Sequence, residues 1–248
     1  MARKYELRPV IRQPSIIPYT VRGEQAQAFL EEVQARITEE FRGNKNLGVL
    51  SLEGKDNILT GSNPLVLPIV ARVAQGYRVG RPEDLQRTLN DGDTLSIQGN
   101  HYVDMGLVLD FAGSHREMAQ DFFDQMPEAQ RKAFLEARHP AVVVGYGLKN
   151  FDKGSYELGI VHQEGTEVRS SEILSSSRGT FSDKDVSLET GLPARLSGGN
   201  RTLYTRKQGT PSRENLGLSR LCLCRNLDVS SDYVYLAYSG SIGRVVLF

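Results

Sequence analysis

Cys222 and Cys224, in the stretch SRLCLCRN (219–226), are the only cysteines of the chain. A thiol pair one residue apart raises metal or redox chemistry first. On a strand alternate side chains share a face, so Arg220, Cys222, Cys224 and Asn226 point one way and Leu221, Leu223 and Leu227 the other. Two strand Cα atoms at that spacing stand about 6.5–7 Å apart, at the edge of what a disulfide spans. Two thiolates do not close a tetrahedral zinc site, and no CxxC pair exists elsewhere to complete one. The expectation is two packing cysteines and no metal site, with Arg220 and Arg225 the more informative members of the stretch.

Other motifs fall short in the same way. His162-Gln163-Glu164 spells the H-x-E of zinc nucleobase deaminases, in which a downstream P-C-x-x-C completes the ligand set. Here the spacing is CxC, the proline is missing and His162 closes a predicted strand. His162 therefore reads as a strand-end residue with a hydrogen-bond partner. VVVGYGLKN (142–150) sets G-x-G after a strand, but Asn150 stands where a dinucleotide fingerprint has its third glycine, and a strand follows. GxxxxGK[ST] and GxSxG are absent, so no motif names a cofactor.

Two groupings carry more chemistry. Asp110, His115 and Glu117 fall between a strand end and a helix start, where sheet–helix folds often bind ligands. Two carboxylates and an imidazole there suit acid–base work or a divalent metal in a hydrolase or phosphotransferase. The competing reading makes Glu117 the capping partner of Ser114. Asp104 and Asp110 share a face of the same strand but lie about 20 Å apart along it, too far for a catalytic pair. The second grouping is cationic. Arg195, Arg201, Arg206, Lys207, Arg213, Arg220 and Arg225 face Glu214 alone between residues 195 and 225. A glycine-rich segment with that excess can wrap a phosphate backbone and grip it bidentately. Tyr204 is its one aromatic residue, which supports base stacking poorly.

The rest of the composition sets bounds. The 248 residues suffice for one large domain or two small ones without staples. Thirty basic and thirty acidic side chains cancel, so no global field draws the chain to nucleic acid or membrane, and any such attraction is local. Two cysteines do not make a secreted disulfide framework. The first residues lack the apolar core of a signal peptide, and no run of about eighteen apolar residues is present. These features lead to the expectation of a soluble, cytoplasmic protein.

The elements that must position these groups are legible in part. Residues 1–23 are basic and proline-interrupted and read as an extended arm. Residues 24–42 place Ala26, Leu30, Val33, Ile37 and Phe41 on one helical stripe. LGVLSLEG (47–54) reads as an interior strand, and helices are expected from Pro68 to Gly76 and over 81–91. In HYVDMGLVLDF (101–111), Val103, Met105, Leu107, Leu109 and Phe111 alternate without a break, which predicts a long strand with one apolar face. Its expected partner is DTLSIQ (93–98), through a three-residue turn. Two helices follow, from Ser114 and from Pro127, then strands at 141–147 and 154–163. Between about 163 and 217 glycine, serine and threonine dominate and only 201–205 reads as a strand. Strands at 218–225, 232–239 and 243–248, with a turn at 239–243, end the chain.

The sequence thus predicts an α+β fold: a mixed, mostly antiparallel sheet, four to five helices and a β-rich C-terminal portion. The portions meet near residue 150, as 1–150 and 151–248 or as one continuous domain. Three functional classes follow. First is binding of an anionic ligand, RNA or a nucleotide, through 195–225. Second is the metal-assisted enzyme around Asp110, His115 and Glu117. Third is a structural or assembly subunit, in which exposed strands pair copies into a homo-oligomer.

Overall fold

The computed structural model describes residues 21–92, 101–238 and 242–248. The basic arm up to residue 20, the strand expected at 93–98 with the first two residues of its turn, and most of the turn expected at 239–243 lie outside the described residues. Among the described residues five α-helices and twelve strands make an α+β fold. In chain order they are α1 (Glu24–Phe41), β1 (Ser51–Glu53), β2 (Ile58–Thr60), α2 (Leu67–Val73), α3 (Pro82–Asn90), β3 (Tyr102–Asp110), α4 (Arg116–Gln125), α5 (Glu128–Ala137), β4 (Ala141–Val144), β5 (Gly147–Asn150), β6 (Leu158–Val161), β7 (Glu167–Ser170), β8 (Gly179–Phe181), β9 (Arg201–Tyr204), β10 (Gly217–Leu223), β11 (Val229–Ser230) and β12 (Gly243–Arg244). None of the described helices is long and apolar enough to cross a membrane.

The main sheet runs β7-β4-β3-β10-β11-β9-β8, and β12 pairs β3 as well. Its pairings are antiparallel except β11 with β9 and β12 with β3. Strands from both sides of residue 150 share it. One face carries α1, α2, α4, α5 and the β5–β6 hairpin over a core that includes Ile37, Leu107, Leu109, Phe111, Phe122 and Ile160. The other face packs Val103, Met105, Val108, Leu221 and Leu223 under Leu85 of α3 and loop residues such as Leu174 and Leu192.

The long strand departs from its expected geometry at one point. β3 and β10 pair antiparallel from Asp110↔Gly217 to Gly106↔Leu221, and then Cys222 meets Asp104. Met105 is the extra residue of a β-bulge, with Gly106 beside it at φ 144. A Cβ on Gly106 would stand 2.5 Å from the Val143 carbonyl oxygen, so glycine is required there. A bulge reverses the alternation of faces. Val103 and Met105 therefore enter the second core while Leu107, Leu109 and Phe111 enter the first. The single apolar face is corrected to two, and Asp104 and Asp110 do not share a face.

Other expectations are corrected by the same pairing map. Residues 51–53 form an outlying hairpin with β2 rather than an interior strand, because the 54–57 turn folds the chain straight back. Gly145 (φ 69) breaks the apolar run after Val144, and the chain restarts as β5, which pairs with a shortened β6. The 163–217 region holds β7 and β8 besides β9; these polar strands sit at the two ends of the sheet and show no apolar run. Among the described residues of 231–248 only β12 and a bridge from Val79 to Leu247 are sheet-like. Residues 231–238 form no strand.

Candidate functional site

Residues 231–238, SDYVYLAY, leave the sheet after β11. Apolar and aromatic residues recur there as in a strand, yet other groups hold the backbone. The Arg220 amide donates to the Tyr233 carbonyl at 2.9 Å. His115 Nε2 donates to the Val234 carbonyl. The Leu236 amide donates to the Tyr156 hydroxyl at 3.2 Å, Asn63 Nδ2 reaches the Ala237 carbonyl at 3.3 Å, and Arg220 Nη1 reaches that of Tyr238 at 3.0 Å. Leu236 is fully buried in the first core. Tyr233, Tyr235 and Tyr238 point outward, 53%, 70% and 65% exposed. Five ties and one apolar anchor thus hold three aromatic rings at the surface.

The anchor beneath is an ion pair. Arg220 of β10 meets Asp104 of β3 through Nε and Nη2, the latter at 2.7 Å from Oδ2. The two side chains are 4% and 0% exposed. The guanidinium lies 4.4 Å over the Tyr102 ring, and Nη2 also reaches the Ser62 carbonyl at 3.4 Å. Burial pulls the Arg220 pKa down, but the charge and hydrogen bonds of Asp104 outweigh it and the net shift is upward, so the pair stays ionised. Tyr146 on the same side has its phenol pushed well up by burial and by Asp104.

The cysteines adjoin this pair. Cys222 is buried, Cys224 is half-buried, and both are free thiols. A hydrogen bond between them, with burial, pushes the Cys222 thiol well up. Arg220 and Cys222 share one face of β10, and Leu221 and Leu223 line the other, as the alternation predicts. His162 has the expected partner, Gln130 Oε1 at 3.0 Å from its Nε2.

The seven cations of 195–225 do not converge. Arg195 Nε binds Asp185 at 2.8 Å. Ser197 first, then Arg195 and Ser182, hold that carboxyl well below its usual range. Arg201 is 2% exposed, stacks over Phe181 at 4.8 Å and donates to Asp183, Gln86 and the Leu227 carbonyl. Arg206 meets Asp110 at 3.2 Å, and Arg213 meets Asp124 at 2.5 Å. With Arg220 on Asp104, five of the seven are neutralised by carboxylates. Lys207 and Arg225 are exposed, and no ion pair engages either among the described residues.

Asp110, His115 and Glu117 turn different ways. Asp110 is 1% exposed and accepts from Arg206, Ser219 (3.0 Å) and the Ala112 amide (2.9 Å). Burial raises its pKa against those bonds. His115 has a left-handed backbone (φ 52), serves the 231–238 loop and lies 5.2 Å from the Tyr156 ring. Glu117 is exposed. The expected Ser114–Glu117 capping box is corrected: α4 starts at Arg116 after His115 without a side-chain cap, and Ser114 Oγ accepts from Arg206 at 2.9 Å. Among the described residues no three His, Cys, Asp or Glu side chains form a group that could hold a metal ion.

The alternation of 232–239 reads as a strand and so does not mark the tyrosines as a surface group. The available signal was three tyrosines in six residues, beside an aspartate and two serines. No protein-family model, no curated protein and no solved structure matches this chain.

Proposed function

We propose that the protein is an assembly subunit that associates with a second copy of itself through Tyr233, Tyr235 and Tyr238. The observation that carries this reading is the loop's combination of outward aromatic rings and a backbone fixed from beneath. Tyrosine brings apolar area and a hydroxyl donor–acceptor with only two side-chain torsions to immobilise. A backbone already ordered loses little further entropy on association. A patch of neutral donor–acceptor side chains is self-complementary, as a two-fold contact requires. Thirty cations against thirty anions leave no net charge to drive copies apart.

The RNA- or nucleotide-binding reading of 195–225 has less support. With five arginines on carboxylates, Lys207 and Arg225 remain for phosphates. Two such contacts give a salt slope of only about −2 in log K against log[salt]. Sedimentation velocity over a wide concentration range tests the assembly reading. The weight-average coefficient is expected to rise with concentration, and Tyr235→Ser is expected to flatten the rise. A wild-type chain that stays monomeric throughout would overturn it.

A further inference from the structure

Among the described residues the main sheet parts at the middle of β3. On the edge of β3 away from β10, β4 covers residues 107–109 and β12 covers 102–103. Neither strand pairs with 104–106, where the bulge lies. β4 swings away at Gly145, whose left-handed backbone brings its Cβ position within 2.3 Å of the Gly165 carbonyl oxygen. Two positive-φ glycines, one on each diverging strand, thus hold a wedge open.

The wedge is a cavity of about 100 Å³. Leu67 and Ala71 of α2, Met105, Val144 and Tyr146 give it apolar walls. The charged residues lining it are Arg78 and Arg81, from the segment joining α2 to α3. Their ion-pair partners, Asp84 and Glu167, are not in the lining. Arg78 uses both terminal nitrogens on Asp84. Arg81 engages Glu167 through Nη1, and Glu167 is 42% exposed. Such a half-exposed pair is weak, so Arg81 is available to a second acceptor.

The geometry points to a binding site for a short-chain carboxylic acid, its alkyl group between Leu67, Met105 and Val144 and its carboxylate at the mouth on Arg81. A cavity of about 150 Å³ holds benzene, so this one takes a chain of roughly four carbons. Apolar walls with one or two placed polar groups are the usual make-up of small-ligand sites, and bulges are over-represented beside them. A guanidinium fork matches a carboxylate. The site is separate from the tyrosine loop and does not depend on the assembly reading.

The test uses the full chain with ¹³C-methyl methionine, of which there are four residues, the Met105 signal being assigned with Met105→Leu. Sodium butyrate is titrated against butyramide, the uncharged isostere, at constant ionic strength. Butyrate is expected to move the Met105 methyl saturably and to leave Met118 and Met126, which pack in the other core, in place. Butyramide is expected to bind at least tenfold more weakly. Arg81→Gln should weaken butyrate about tenfold, and Ala71→Phe, at an exposed position, should block it. Absence of a saturable Met105 shift, equal response to butyramide, or full binding by Arg81→Gln would each overturn the assignment. Should Ala71→Phe fail to fold, the Arg81→Gln and butyramide comparisons decide alone.

Discussion

Residues 195–225 carry seven cations, and five of them meet carboxylates. Residues 231–238 carry three tyrosines, all more than half exposed. The two regions are neighbours in the chain, and the first helps hold the second in place: Arg220 of the cationic stretch ties the loop at Tyr233 through its backbone amide and at Tyr238 through its guanidinium. Most of the charge in the first region is structural stitching, whereas the second turns its aromatic rings outward. A local excess of cations in a sequence is therefore not a basic surface until the partners of each cation are known.

Six variants test this contrast. The largest effect is expected at the stitching. Asp104→Ala leaves the Arg220 guanidinium buried and unpaired and should cost about 3–5 kcal/mol in urea unfolding. Asp104→Leu with Arg220→Met should recover much of that loss, since paired apolar replacements of buried ion pairs are often neutral, while freeing the 231–238 backbone to faster amide exchange. Next is Cys222→Ala, which should cost about 1 kcal/mol as a buried side chain is trimmed and leave association unchanged; weakened association would show that the thiol shapes the loop.

Two carboxylates of the stitching should respond oppositely to pH. Asp110 is raised by burial, so the folded chain holds its proton more tightly than the unfolded chain. Stability from this group is present at low pH and declines as pH rises from the ordinary carboxylate value through the folded one. Asp124 is lowered by Arg213, so its contribution is present above the ordinary value and is lost as pH falls through the folded one. Melting temperatures of Asp110→Asn and Asp124→Asn against wild type, across about pH 3 to 6, should show differences of opposite slope. Parallel slopes would refute the assignment of buried and exposed pairs. The smallest effect is expected at Lys207→Gln with Arg225→Gln, within about 0.5 kcal/mol of wild type and without change in association.

The sequence carried the helices well, because apolar residues such as Ala26, Val33, Ile37 and Phe41 repeat at helical spacing over five turns. It carried the length of β3 but not its bulge. Both faces of that strand are buried, so Val108 is as apolar as Leu107, and the pattern does not mark where the parity changes. Gly106 was the one mark. The ion pairs were illegible for another reason. Arg206 and Asp110 are 96 positions apart, Arg213 and Asp124 89, and Arg220 and Asp104 116, and charge patterning along a chain reports only near neighbours. The strand expected at 232–239 failed because period-two alternation records which residues face inward, and side-chain ties to the backbone produce that alternation as well as a sheet does. The cavity at Met105 depends on the same unseen bulge.

Sedimentation velocity on three chains at matched concentrations tests the contrast most directly: wild type, Tyr233→Ser/Tyr235→Ser/Tyr238→Ser, and Lys207→Gln/Arg225→Gln. Concentration-dependent association is expected in the first and third and a folded monomer in the second. Association that survives loss of the three tyrosines, or that disappears with the two cations, would contradict it.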